Sequence, residues 1–232
     1  MKKKIPWAKK IGWILLISLA GSIVFSVVKL ATASETASAE GGRLKSDYVL
    51  MLVQCIMGLF VMFLPGLLKK KPRLEIPNYI FVMYYVFLYC AIYLGEVRNF
   101  YFVIPYWDSI LHGFSAAMLG ALGFSLVSIL NNDEHITISL SPLFTGIFAF
   151  CFALALGAIW EIYEFSFDGL LGLNMQKFRL EDGRALVGRS ALADTMKDII
   201  IDSAGALVVS VVGAVTINKK RKKNNQHDRT IR

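Results

Sequence analysis

Asp194-Thr-Met-Lys-Asp198-Ile-Ile-Ile-Asp202-Ser-Ala-Gly205 opens the last long apolar run of the chain, which continues to Ile217. Asp194, Asp198 and Asp202 recur every four residues, so a helix places them on one face. Asp194 at the helix start has the chemistry of an N-cap, a short side chain accepting from backbone N–H groups that lack partners. Asp202 lies about two turns deeper, with Ile199, Ile200 and Ile201 before it and Ala204 to Val215 after it. A carboxylate at that depth is costly unless it is paired, protonated, bound to a cation or facing water. The stretch reads as a membrane helix that carries a polar site.

The rest of the chain agrees. It has 232 residues, 56% hydrophobic and 18% charged, against about 25% charged in a soluble domain. Six runs approach the ~20 residues needed to cross the hydrocarbon: Ile11–Val28, Tyr48–Leu68, Tyr79–Leu94, Ile110–Leu130, Leu143–Ile162 and Ile199–Ile217. No long soluble segment separates them. The expected fold is an all-α, polytopic membrane helical bundle, one integral membrane domain over residues 1–232. The apolar part of the first run is longer than a signal-peptide core of about 7–15 residues, so a retained helix is expected. Cys55, Cys90 and Cys151 each lie inside an apolar run and read as small packing residues.

The net charge of +8 sits in short clusters beside the runs, Lys2 to Lys10, Lys69 to Arg73 and Lys219 to Lys223. That is the positive-inside pattern and not a nucleic-acid surface. An even number of spans puts both termini and the Lys69–Arg73 turn on one side, the cytoplasm. The basic tail 218–232 is expected to attract anionic lipid. The loops Thr32–Asp47, Gly95–Asp108 and the longest, Glu161–Lys197, then face outward.

Counting from the cytoplasmic ends at about 1.5 Å per residue brings His112, Glu161, Asp198 and Glu96 to similar depths, near the outer edge of a ~30 Å core. Asp108 and His112 are one turn apart. Glu161, Glu164 and Asp168 share a face. Small residues (Gly113, Ala116, Ala117 and Gly120; Ala153 and Gly157; Gly205 and Ala206) accompany them, and small residues let membrane helices approach closely. Spans four to six are expected to form a tight bundle with polar faces inward. Blander roles exist for several of these groups: Asp108 as a helix-start acid, Glu161 and Glu164 as solvated interface residues, His112 as a packing residue. Trp107 and Trp160 read as interfacial anchors.

One imidazole among carboxylates suits a divalent cation, with oxygen ligands favouring Mg²⁺, Mn²⁺ or Ca²⁺ and imidazole admitting Zn²⁺. The candidate ligands are His112, Glu161, Asp198 and Asp202. Glu164 or Asp108 is the candidate general base. Arg184 or Arg189 is the candidate clamp for a phosphate, beside Lys177 and Arg179 on the same loop.

The set Gly95-Glu96, Asn99-Phe-Tyr101, Trp107-Asp108, Leu111-His112, Trp160-Glu161, Glu164, Asp194-Thr195, Asp198, Asp202 and Gly205-Ala206 resembles the YjdF-like family of small bacterial integral membrane proteins. The resemblance covers about the C-terminal two thirds of the chain. The order Asp-x-x-x-His, Glu-x-x, then Asp-x-x-x-Asp-x-x-Gly is more distantly similar to VanZ-like proteins, linked to glycopeptide resistance at the cell surface. VanZ-like chains often carry Gln where Glu164 stands and Asn where Asp202 stands. These resemblances imply a protein of the bacterial cell envelope and lend no reaction. Three functions then compete. The first is an envelope factor that binds a lipid or a partner. The second is a metal-dependent hydrolase or transferase on a lipid-linked phosphate at the outer leaflet. The third is a proton- or cation-coupled transporter, disfavoured because the ionisable groups crowd one leaflet.

Overall fold

The computed structural model describes residues 6–32, 43–68, 78–131, 140–180 and 183–231. Among them every regular element is helical: α1 (Pro6–Leu30), α2 (Lys45–Met62), α3 (Leu64–Leu68), α4 (Asn78–Leu88) running into a π-helical segment (Tyr89–Val97), α5 (Phe100–Val103), α6 (Trp107–Asn131), α7 (Pro142–Leu171) and α8 (Arg189–Ile231). Six helical stretches among the described residues are long and apolar enough to cross a membrane, so the chain is an all-α multi-pass membrane protein. The Lys69–Arg73 cluster, residues 132–135 and most of the stretch expected as the loop Thr32–Asp47 lie outside the described residues.

The helices are inside-out relative to soluble ones. On α7, Glu161 is 5% exposed while Ile162 is 63% and Phe165 69% exposed. On α8, Asp198 and Asp202 are buried while Ile200, Val208 and Val212 face outward. In water the reverse would hold. Exposed apolar side chains of this size and number need lipid around them.

Two compact units divide the chain, one formed by Met1–Leu111 with Glu161–Thr195, the other by His112–Trp160 with Met196–Arg232. In the first, Leu15, Leu19, Met51, Cys55, Met62 and Leu88 make a core joining α1, α2 and α4. The break between α2 and α3 has a local cause. Pro65 has no N–H to give the carbonyl of Val61, one turn back, and the Tyr84 hydroxyl donates to that oxygen at 2.7 Å. The π winding that follows α4 is visible in the five-residue bond from Arg98 N–H to Tyr93 O, 2.9 Å.

The second unit is a close-packed trio. Ala116 of α6, Ala153 of α7 and Ala206 of α8 meet in its core, each at most 1% exposed. Gly205 lies so near α6 that a β-carbon on it would stand 3.0 Å from the Gly113 carbonyl oxygen. The small residues named from sequence on spans four, five and six do permit this approach. Ser141 caps α7, its Oγ accepting from Phe144 N–H at 3.1 Å, and Pro142 takes the first helical position, where a missing N–H costs nothing.

Several boundaries differ from expectation. Span five, expected to stop at Ile162, continues to Leu171, where Gly172 in the left-handed region (φ 66) ends it. α8 begins at Arg189, after Gly188 (φ 61), so Asp194 is already inside the helix and is not its N-cap. The supposed long loop Glu161–Lys197 is therefore helical at both ends. The basic tail is no separate segment either, since α8 continues through Lys219–Lys223 to Ile231 and Arg221 donates to Leu140 O at 2.9 Å. Apolar periodicity stops at the hydrocarbon boundary, but helical hydrogen bonding does not.

A β-carbon on Gly123 would stand 2.9 Å from Ala149 Cα, whereas one on Gly21 would meet nothing within 4 Å. Gly123→Ala is expected to destabilise the protein by about 1–3 kcal/mol and Gly21→Ala to be neutral or slightly stabilising. Reversible unfolding in mixed micelles measures both.

Candidate functional site

The second unit brings His112, Asp198 and Asp202 close to one another. His112, in the second turn of α6, presents Nδ1 at 3.3 Å from both carboxylate oxygens of Asp202 on α8. His112 is 8% exposed, Asp202 2% and Asp198 4%. Atoms of His112 and Asp198 able to ligate a metal lie within 4.8 Å of each other. α7 makes room for this pair with Gly157, where a β-carbon would press on the Asp202 carboxylate, 3.1 Å from its Cγ. The pair is buried, so its mutual interaction is strong, and the loss of one partner would strand the other. A histidine that engages a carboxylate through one ring nitrogen keeps its ring orientation fixed and offers the other nitrogen to a ligand.

In the first unit a different group of polar side chains gathers around Tyr101 of α5. Burial pushes its phenol well above the ordinary value of 10, and the negative charges of Asp108, Glu96 and Glu164 push the same way. Gly95 is the reason the ring fits there: a β-carbon on it would stand 2.8 Å from Tyr101 Cζ. Lys177 Nζ binds Glu96 Oε2 at 2.9 Å. Glu96 thus pairs with a lysine 81 residues away, and not with the neighbouring Arg98 that sequence proximity suggests. Trp107, expected as an interfacial anchor, packs edge-on against Phe100 and donates from Nε1 to Cys90 O at 3.3 Å.

The segment after α7 is built rather than loose. Asp168 accepts from the N–H groups of Met175 (2.7 Å) and Gln176 (3.0 Å). Asn174 exchanges two hydrogen bonds with the backbone of Arg179. Leu173 and Met175 bury themselves against Leu50, Val49, Tyr163 and Phe167.

Of the residues singled out from sequence, the second unit brings together His112, Asp198 and Asp202. The first brings Asp108 and Glu164 together with Glu96. Glu161 is buried on α7 of the first unit. Arg184 and Arg189 are exposed. Tyr101 carried no assigned role in the sequence, although the glycine at position 95 was a signal of close approach. Lys177 had been noted only as one of four loop cations.

Gly157→Ala is expected to displace the Asp202 carboxylate, change the ¹⁵N shift of His112 Nδ1 as Asp202→Asn does, and cost about 1–3 kcal/mol. For Tyr101 the raised value means that the folded state keeps its proton after the unfolded chain has lost it. Its contribution to stability is whole below pH ~10 and falls as pH rises beyond that. Unfolding free energies between pH 8 and 11 should decline less in Tyr101→Phe than in the wild type.

Comparison with known proteins agrees with a membrane protein. An uncharacterized protein of Thermotoga maritima is 27% identical over 153 residues, covering 65% of this chain and 69% of its own length. No solved structure matches. The family described as predicted membrane protein (DUF2238) matches residues 11–219. With nearly the whole chain matched, the protein belongs to the predicted membrane protein family DUF2238.

Proposed function

We propose that this is a bacterial cell-membrane protein, both termini cytoplasmic, that holds a divalent cation at His112 and Asp198 and uses it to bind a phosphate-bearing, lipid-linked ligand of the envelope. The observation that carries the reading is the His112–Asp202 pair with Asp198 beside it, all three buried in an apolar bundle. Asp202 orients the imidazole through Nδ1, which leaves Nε2 as the donor to a metal. Asp198 supplies a hard oxygen ligand and negative charge. A cation there offsets the cost of burying the two carboxylates and attracts a phosphate oxygen.

Transport fits less well. From Gly113 to Asn131, Pro142 to Trp160 and Ser203 to Asn218 the chain has no charged residue. A proton or cation path needs polar stations along its length. The resemblance to the YjdF-like family, and the more distant one to VanZ-like proteins, support an envelope role. Binding and metal-dependent hydrolysis share the same first step, coordination of a phosphate oxygen. Incubation with lipid phosphate esters separates them.

Metal content of detergent-purified protein is the test. Wild type is expected to carry near-stoichiometric metal, lost in Asp198→Asn and His112→Ala. Asp202→Asn should weaken binding about 10- to 100-fold, because it releases the ring's orientation. Wild type that stays empty after incubation with Mn²⁺ and Zn²⁺ would sink the reading. Separately, a cysteine replacing Gln226 should react with impermeant maleimide only in inverted vesicles. Labelling in intact cells would reverse the orientation.

A further inference from the structure

Residues 95–102 of the first unit form a small receptor whose walls are held by contacts of their own. The π-helical segment ends with Glu96 and Val97, Asn99 turns the chain in the left-handed region (φ 65), and α5 follows with Tyr101 and Phe102. Gly95 seats the Tyr101 ring against the helix end, and Arg43 fixes the Glu96 carbonyl at 2.9 Å. The result is one carboxylate and two aromatic faces close together, a combination that recognises alkylammonium groups. Its present occupant is the chain's own Lys177. The ammonium is 2.9 Å from Glu96 Oε2, 4.7 Å from the Tyr101 ring centre and 5.6 Å from that of Phe102.

Both the receptor and the segment that carries Lys177 have supports besides this contact. The segment has anchors of its own in Asp168, the Asn174–Arg179 pair, the buried Leu173 and Met175, and a 2.8 Å bond from Gln176 Nε2 to Thr195 Oγ1. To reach the receptor Lys177 takes φ 53, a region that residues with a β-carbon disfavour. A free ammonium would meet the same three walls without that strain. The Lys177 side chain is 14% exposed, so the occupant can be reached from outside. The third span ends at Val97, which puts the receptor at a helix end, the level of lipid head groups.

We propose that Glu96, Tyr101 and Phe102 form an alkylammonium-binding site that Lys177 occupies as a tethered, replaceable ligand. The ammonium of an ethanolamine-type lipid head group and that of a free amine have the chemistry to displace it. Displacement frees Lys177 and loosens the backbone around it, while the segment stays docked through its other anchors. This inference rests on a different unit from the proposed metal centre and stands or falls apart from it.

The test uses the full chain in detergent, with n-butylammonium as the probe and n-butanol as its neutral control. In wild type, butylammonium is expected to raise hydrogen exchange at the amides of residues 177–180 at least severalfold, with butanol inert. Lys177→Ala should bind butylammonium saturably and at least tenfold more tightly than wild type, read as a thermal shift. Lys177→Ala combined with Glu96→Gln should lose that binding. Unchanged exchange in wild type up to the solubility limit would show a fixed structural ion pair and overturn the proposal, as would equal effects of butanol. The wild-type measurement does not depend on any variant folding. Repeating it in nanodiscs identifies the source. Faster exchange in phosphatidylethanolamine than in phosphatidylglycerol assigns the site to a lipid head group, and equal exchange in the two lipids assigns it to a soluble amine.

Discussion

An imidazole and a carboxylate held 3.3 Å apart among apolar helices impose conditions on everything around them. A single ionised group at the centre of a membrane helix costs at least about 2.5–3.5 kcal/mol on insertion scales. Pairing recovers that cost only when the partner helix comes close enough for direct contact. α6 and α8 therefore approach through Gly113, Ala116, Gly205 and Ala206, and α7 gives way at Gly157. The small residues and the polar pair are one device. Enlarging the former breaks the latter, and removing half of the latter leaves a buried charge that close packing cannot solvate.

The first unit meets the same difficulty in another way. Glu96 is neutralised by a lysine supplied from far along the chain, and Asp168 by backbone N–H groups of the turn that follows its helix. Asp202, Glu96 and Asp168 thus find partners of different chemistry: imidazole, ammonium and backbone amide. The helices present hydrocarbon outward, at Ile162, Phe165, Ile200 and Val208 for instance, and keep their hydrogen-bonding capacity for one another. Irregular backbone serves the Glu96 pairing in two ways. The π-helical segment aims Glu96, and the left-handed Asn99 and Lys177 bring rings and ammonium together.

Spans were legible because about twenty apolar residues in a row have few other fates. Asp198 and Asp202 stood out as candidate site residues because a carboxylate amid isoleucines demands a reason. The limits of α7 and α8 were hidden, since polar residues beyond the hydrocarbon remain good helix formers and only Gly172 and Gly188, in left-handed conformations, mark the ends. Partner identity was hidden as well. Lys177 lies 81 residues from Glu96, and nothing local to either marks the two as partners.

By itself the sequence determined a six-span all-α membrane protein with acidic and imidazole groups on the inner faces of its last three helices. Period and hydropathy are local properties, and the bilayer turns them directly into structure. Tertiary structure decided the pairings. Asp202 faces His112, Glu96 takes Lys177, Tyr101 slots against Gly95, and Trp107 bonds the Cys90 carbonyl. Those choices depend on which helix faces approach within a few ångströms. That is fixed by side-chain volumes summed over several elements, which no single stretch of sequence contains.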